Sequence, residues 1–79
     1  MAARIKVQKA GFMRHYTVTG LTRERWQRIG DDIRALPGAR RVFVPTGGSQ
    51  DETLIVGVED MAVWNQLHNQ ILQAINCYL

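Results

Sequence analysis

The order in which hydrophobic periodicities follow one another is the feature that most constrains how this chain folds. In residues 15–19 apolar and polar side chains alternate, which is the pattern of a half-buried strand. From Trp26 to Leu36 the apolar spacing lengthens to that of a helix with one face against a sheet. Two more alternating segments and a second helical stripe follow Pro37. This order predicts an α+β fold in which two helices cover one face of an antiparallel sheet.

The first helix has sequence signals at both ends. Thr22 can cap it by accepting backbone N–H groups with its hydroxyl. Pro37-Gly38 ends it, because proline cannot donate to the helix ladder and glycine tolerates a reversed backbone. The phase of Trp26 favours burial over exposure. The residues predicted to face the core are Trp26, Ile29, Ile33 and Leu36 on the helix, and Val42, Val44, Leu54, Val56 and Val58 on the two strands that follow.

The second helix is predicted for residues 61–76, with Asp60 as its cap. Its core-facing stripe comprises Trp64, Leu67, Ile71 and Ile75. The opposite face carries amides, and no formal charge occurs after Asp60. A face without Lys and Glu costs less to desolvate, so Gln66 and Gln70 are candidate contact residues. The alternative is a polar face that stays in solvent.

A further strand is predicted at the N-terminal end. Residues 4–8 alternate, with Ile5 and Val7 on the side that faces the core. Residues 9–11 can turn this strand back so that it pairs antiparallel with residues 14–19. The chain then has the order β-β-α-β-β-α, with four strands in one sheet.

Length and composition narrow the class of protein. The chain has 79 residues and is predicted to be one domain, residues 1–79, near the size at which a single core is only marginally sufficient. Self-association or a protein partner is therefore expected. No segment approaches the roughly 20 apolar residues that span a bilayer, and the N-terminal region lacks the apolar run of a signal peptide. We expect a cytoplasmic protein that does not bind membranes, and the single cysteine, Cys77, excludes an internal disulfide.

Charge is distributed unevenly along the chain. All ten Lys and Arg residues lie at or before Arg41. The charged residues that follow are all acidic, and they are Asp51, Glu52, Glu59 and Asp60. The net charge is +3. Such asymmetry suggests an anionic partner or a self-complementary association, whereas surface solubility is the alternative for each single charge.

Residues 16–44, YTVTGLTRERWQRIGDDIRALPGARRVFV, contain a strand ending in glycine, a helix that follows a threonine, and a Leu-Pro-Gly helix end before a second strand. In these features the segment resembles the first half of the heavy-metal-associated (copper-chaperone-like) domain. Residues 73–78 loosely match the end of the second helix in that family. The resemblance implies a ferredoxin-like two-layer sandwich with strand order 4-1-3-2. The fourth strand of the family is missing, and we expect the N-terminal strand to replace it.

The metal loop of the family is altered in this chain. The family pattern G-M-T-C-x-x-C holds a soft metal with two thiolates. Here Arg23 stands at the first cysteine position and Trp26 at the second. The resemblance therefore implies a scaffold that has lost metal binding. His15, His68 and Cys77 are not spaced as a ligand pair, so we expect no metal and no cofactor.

No catalytic constellation is evident in the sequence. Asp31-Asp32 and Asp51-Glu52 are adjacent pairs, but on a helix and in a loop their side chains point in different directions. The Gly47-Gly48-Ser49 segment lacks a following Lys and joins two strands, which indicates a hairpin and not a phosphate-binding loop. We therefore expect a non-enzymatic protein.

A protein-interaction or regulatory module is the leading hypothesis. The resembling family docks its partners through the metal loop and the adjoining helix starts, which implies a docking role for Arg23 and Arg25. Arginine is also a frequent interface anchor. The open face of the sheet is predicted to carry apolar side chains. The candidate partner-binding residues are Arg23, Arg25, Phe43, Ile55, Gln66 and Gln70.

A small basic nucleic-acid-binding domain is the alternative hypothesis. A basic sheet with an aromatic residue can neutralise phosphates and stack bases. One observation argues against this hypothesis. Sheets that recognise RNA usually carry aromatic residues on their two central strands, whereas this chain offers Thr17 and Ile55 there. Pairs at i, i+4, Glu24 with Arg28 and Arg28 with Asp32, also neutralise much of the first helix. The candidates on or beside the open sheet face are Arg4, Lys6, Arg14 and Arg41.

Overall fold

The computed structural model describes residues 5–46, 51–58 and 60–79, with the backbone alone at position 51. Two antiparallel strands precede the first helix, and two more precede the second. The elements are β1 (Ile5–Ala10), β2 (Met13–Thr19), α1 (Arg23–Arg34), β3 (Ala39–Phe43), β4 (Asp51–Val58), a 3₁₀ turn (Met61–Val63) and α2 (Trp64–Asn76). The α+β class and the order β-β-α-β-β-α are confirmed.

The four strands form one antiparallel sheet in the order β1-β2-β4-β3. The predicted pairing of the N-terminal strand with β2 is confirmed, since Val7 is in register with Tyr16. The strand continues to Ala10, two residues beyond its predicted end, because Lys9 and Ala10 also pair with β2. The turn moves accordingly to residues 11–12, where Gly11 adopts a φ of 61°. Arg4 and the predicted turn at residues 47–50 lie outside the described residues.

Both helices begin and end close to their predicted positions. The Thr22 hydroxyl accepts a hydrogen bond from the Arg25 backbone N–H at 3.3 Å, which caps α1. The carboxylate of Asp60 accepts one from the Ala62 backbone N–H at 2.9 Å. That cap opens the 3₁₀ turn, so α2 starts three residues later than predicted. Gly38, with a φ of 94°, reverses the backbone after α1.

The core lies between the sheet and the two helices. Trp26 is fully buried, as its phase predicted, and so are the apolar stripes of both helices, although Leu36 is only half-buried. Among the described residues, no hydrogen-bond partner is found for the buried indole N–H groups of Trp26 and Trp64. The buried apolar residues are Tyr16, Val18, Leu21, Trp26, Ile29, Ile33, Leu54, Val56, Val58, Trp64, Leu67, Ile71 and Ile75.

Helix α1 packs closely against the chain that leaves β3. A Cβ atom placed on Gly30 would lie 2.5 Å from Cγ2 of Val44, nearer than such atoms approach in proteins. Val44, predicted to point inward, is half-buried and follows the last residue of β3. Glycine at position 30 therefore permits this close approach.

None of the helices in the described parts of the chain is long and apolar enough to cross a membrane.

Candidate partner-binding surface

The face of the sheet opposite the two helices is called the open face here. Strand register places four rows of residues on it, because side chains two positions apart share a face. The rows run across the strands as Thr19 and Asp51; then Lys6, Thr17 and Thr53; then Gln8, His15, Ile55 and Phe43; then Ala10, Met13, Gly57 and Arg41.

The open face is apolar in the middle and cationic at its margins. The Phe43 side chain is 55% exposed, and neighbouring Ile55 is half-buried. The hydroxyl groups of Thr17 and Thr53 are hydrogen-bonded to each other at 3.0 Å. Lys6 and Arg41 are exposed on the two outer strands. Of the side chains described on this face, none is acidic, while Asp51, in register with Thr19, occupies a position at the end of the face and is described by its backbone alone.

A groove continues the open face toward the β1–β2 turn, and we call it the hairpin groove. Its volume is about 550 Å³. The Val58 backbone N–H donates to the Phe12 carbonyl at 3.1 Å, which fixes the turn beside the end of β4. Phe12 is 58% exposed and is a candidate contact residue that the sequence did not indicate. Phe12 lies in the turn between β1 and β2, where no hydrophobic periodicity marks the exposed side chains. The lining residues are Phe12, Met13, Arg40, Arg41, Gly57 and Val58.

Arg14 does not lie on the open face, and its predicted place beside Lys6 and Arg41 is wrong. It is in register with Val56 and therefore points to the helix-covered side. Its guanidinium carbon lies 4.6 Å from the centre of the Trp64 ring, within the range of a cation–π contact. The physical reason is the two-residue period of a strand, which puts Arg14 on the same side as buried Tyr16.

Tyr16 and His68 form a buried polar contact that the sequence did not predict. The Tyr16 hydroxyl lies 2.9 Å from Nδ1 of His68, and the two rings stack with centroids 5.7 Å apart. Burial raises the pKa of Tyr16 to about 12, although Arg14 acts in the opposite direction. Burial, and then Arg14 and Lys9, lower the pKa of His68. At neutral pH both groups are therefore uncharged, and the tautomer of His68 decides which of the two, the Tyr16 hydroxyl or Nδ1–H, donates the hydrogen bond.

Arg23 and Arg25 lie in the first turn of α1, and both are exposed. The Arg25 guanidinium donates to the Tyr78 carbonyl at 3.1 Å. Arg23 lines a shallow groove with Val44 and Pro45, at the end of β3. The Tyr78 hydroxyl donates to Asp32 at 3.0 Å, so the C-terminal end is joined to α1 at two points.

The predicted ion pairs of α1 are not formed. Among the described residues, the ion pair on this helix joins Arg34 to Asp31 at 3.4 Å, and both side chains are exposed. The Asp32 carboxylate instead accepts a hydrogen bond from the Tyr78 hydroxyl, and it forms no ion pair with Arg28. An exposed pair of this kind contributes little to stability.

The amide face of α2 lies on the helical layer, away from the open face. Gln66 is exposed and Gln70 is half-buried. Both line a cavity of about 190 Å³ beside Pro37 and Gly38, where α1 turns into β3. The six predicted partner-binding residues therefore lie in pairs on three separate surfaces: Arg23 and Arg25 at the start of α1, Phe43 and Ile55 on the open face, and Gln66 and Gln70 on α2.

The possible metal ligands of the described residues are dispersed over the molecule. Within residues 5–46, 51–58 and 60–79, no three His, Cys, Asp or Glu side chains are grouped so as to hold a metal ion. His15 lies on the open face, whereas His68 lies on α2 on the other side of the sheet. Cys77 is an exposed free thiol.

Comparisons with known proteins gave no assignment: no protein-family model matches the chain, and searches of curated proteins and of solved structures found no match. The resemblance of residues 16–44 to heavy-metal-associated domains therefore stays a prediction.

Proposed function

We propose that this chain is a non-enzymatic protein-interaction module whose open face binds a partner that combines acidic and apolar side chains. The observation that carries the proposal is the exposure of Phe43 and Phe12 on a sheet surface with cations at its margins and no described acid. Aromatic residues and arginines dominate the binding energy of protein interfaces. Each margin of the surface can pair with a carboxylate, while its centre buries an apolar side chain.

The charge of the open face favours a different protein over a second copy of this chain. A two-fold dimer through this face would bring together two surfaces whose described charged side chains, Lys6 and Arg41, are all positive. Like charges that face each other across an interface cost several kcal/mol. A partner that supplies Asp or Glu removes that cost and complements the surface. Self-association through the open face is therefore the weaker possibility.

The same surface favours a protein over a nucleic acid. On the described central strands, His15 offers one ring that can stack a base, whereas Thr17, Thr53 and Ile55 offer none. With Arg14 on the other side of the sheet, the described face retains Lys6 and Arg41 as cations. Affinity for nucleic acid rises with the number of neutralised phosphates, so two cations give a small electrostatic contribution.

We further propose that the scaffold is a permuted ferredoxin-like sandwich related to heavy-metal-associated domains. If β1 takes the place of the fourth strand of that fold, the order β1-β2-β4-β3 corresponds to 4-1-3-2. Burial of Trp26 supports a structural use of the second cysteine position. On this view the domain keeps the scaffold, has no soft-metal site, and acts in the cytoplasm.

Selection from a displayed library of random peptides tests the proposed function. We expect wild-type protein to enrich peptides in which Asp or Glu flanks an aromatic or branched aliphatic residue. The variant Phe43→Glu with Ile55→Lys removes the apolar centre of the open face, and binding of the selected peptides should fall at least tenfold. The matched control, Gln66→Lys with Gln70→Glu, alters the amide face of α2 and should bind like wild type.

Two results would overturn the proposal. Peptides without acidic and apolar enrichment would show that the open face does not set specificity. Equal loss of binding in both double variants would show that the effect is not local to the open face. Tight binding of mixed-sequence oligonucleotides, with an affinity that falls steeply with salt, would favour the nucleic-acid alternative instead.

A further inference from the structure

Three basic side chains converge on the helix-covered side of the sheet, at the edge formed by β1, β2 and α2. Lys9 is in direct register with Arg14, so the two side chains leave neighbouring strands on the same face. Arg14 lies over Trp64, the first residue of α2. His68 follows one turn later on α2 and contacts Tyr16, two residues beyond Arg14. We call Lys9, Arg14 and His68 the basic cluster.

The basic cluster has no acidic counterpart among the described residues. Arg14 is half-buried and contacts an aromatic ring, but no described carboxylate lies within 4 Å of it. Helix α2 itself carries no formal charge. The groups that face His68 are thus Tyr16, Arg14 and Lys9, of which one is neutral and two are cations.

Such an arrangement is unfavourable unless an anion completes it. Like charges directly opposite each other on antiparallel strands are destabilising. Withdrawing a guanidinium partly from water adds a desolvation cost that the cation–π contact offsets only in part. A doubly charged oxyanion placed among the three groups reverses the sign of the electrostatic contribution. Arginine and lysine together form the usual protein recognition set for phosphate.

We propose that the edge between the β1–β2 hairpin and α2 binds a phosphate group through Lys9, Arg14 and Nε2–H of His68. Tyr16 acts as a positioning residue, because its hydrogen bond with Nδ1 fixes the orientation of the imidazole ring and leaves Nε2 as the nitrogen that can donate to the anion. The site lies on the side of the sheet opposite the open face and does not depend on the proposed protein partner. Bound phosphate also favours the protonated imidazole, so binding and protonation of His68 are coupled.

Inorganic phosphate is the first probe, titrated into the full chain at constant ionic strength and followed by amide and imidazole NMR signals. We expect saturable shifts at Lys9, Arg14 and His68. Arg14→Gln and Lys9→Gln should each weaken binding about tenfold or more, as expected for a lost charge-assisted hydrogen bond. Lys6→Gln is the matched control, since it removes the same charge from the same strand on the open face, and it should bind like wild type.

The imidazole of His68 provides a second measurement that a purely structural role would not change. Its pKa, followed in sulfate and in chloride at equal ionic strength, should be higher in sulfate for wild type and for Lys6→Gln. In Lys9→Gln the difference should shrink, and because Lys9 is exposed this variant is expected to fold. Vesicles of phosphatidylcholine with and without phosphatidic acid separate a lipid head group from free phosphate as the natural source.

Binding of either phosphate form with the stated dependence on Lys9 and Arg14 supports the site. Absence of saturable shifts with both inorganic phosphate and phosphatidic acid vesicles overturns it. An equal loss of binding in Lys6→Gln overturns it as well, because the attraction would then come from net charge alone.

Discussion

At the scale of single residues, the hydrogen bond between Tyr16 and His68 explains how a buried hydroxyl is accommodated beneath α2. The Tyr16 hydroxyl is buried, and its hydrogen-bond partner is contributed by a residue 52 positions later in the chain. No local pattern can reveal such a pair, because only the fold brings the two side chains together. By contrast, the face occupied by Arg14 follows from the two-residue period of the strand alone, because Arg14 shares a side of β2 with Tyr16.

The lowered pKa of His68 makes stability depend on pH. Below the unfolded value of about 6.5, the unfolded chain takes up a proton that the folded protein accepts only at lower pH. The free energy of unfolding should therefore be highest above that value and fall as pH drops through it. Urea unfolding between pH 8 and pH 5 measures the slope, and His68→Gln should reduce it. A slope that is the same in His68→Gln as in wild type would contradict this assignment.

A raised pKa of Tyr16 gives the opposite dependence at alkaline pH. The unfolded tyrosine ionises near pH 10, whereas the folded one keeps its proton to about 12. Stability from this group is therefore present below pH 10 and lost as pH rises toward 12. Ultraviolet titration should show a tyrosine that ionises near pH 12 in wild type and is missing in Tyr16→Phe, while the hydrogen bond to Asp32 also raises the pKa of Tyr78. A wild-type spectrum in which both tyrosines titrate near pH 10 would contradict this.

At the scale of elements, α1 depends on the absence of a side chain at Gly30. Alanine normally stabilises a helix relative to glycine by about 1 kcal/mol. Here its Cβ would meet Val44, and overpacking of this kind costs about 1–3 kcal/mol. We expect Gly30→Ala to lower the unfolding free energy, and Gly30→Ala to be neutral or stabilising in a Val44→Ala background. A stabilising effect of Gly30→Ala alone would show that α1 and Val44 are not in close contact.

Strand β1 is the element on which the sheet edge depends. Deleting residues 1–10 would leave the β2 edge unpaired and uncover the core beside Val18. The truncated protein should melt at a lower temperature or aggregate. As a matched pair, Ile5→Ser with Val7→Ser on the core side should destabilise, whereas Lys6→Ser with Gln8→Ser on the open face should not. Val7 is 40% exposed, so most of the loss is expected from Ile5.

Helices and strands were largely predictable because their apolar periods are regular. The stripes of α1 and α2, the alternation in β2 and β4, and the caps at Thr22 and Asp60 all lie where the sequence indicated. The end of β1 was missed, since Lys9 and Ala10 pair through their backbones and carry no apolar signal. Phe12 was missed because a turn residue has no period, yet its backbone bond to Val58 fixes its place on the surface.

At the scale of the whole molecule, the sheet separates two surfaces of different chemistry. One is the open face with the hairpin groove, where Phe12, Phe43 and Ile55 provide apolar area. The other is the helical layer, where the basic cluster lies at one edge. Covering a few hundred Å² of apolar surface at ~25 cal/mol per Å² contributes several kcal/mol before the entropy of association is subtracted.

Because the cations of the open face repel a second copy, the purified chain should remain monomeric at micromolar concentration. Sedimentation of wild type, of Phe43→Glu with Ile55→Lys, and of Gln66→Lys with Gln70→Glu checks this. Self-association that is lost only in the first double variant would assign the open face to a homodimer. Loss only in the second would assign the contact to α2.

The central claim is that the open face is the partner-binding surface, and amide chemical-shift mapping tests it most directly. Isotope-labelled protein is titrated with a selected acidic and apolar peptide. The account predicts the largest shifts at His15, Phe43 and Ile55 and in the hairpin groove, with reduced affinity at high salt because Lys6 and Arg41 are screened. Shifts confined to α1, α2 or the basic cluster, with the open face unchanged, would contradict it.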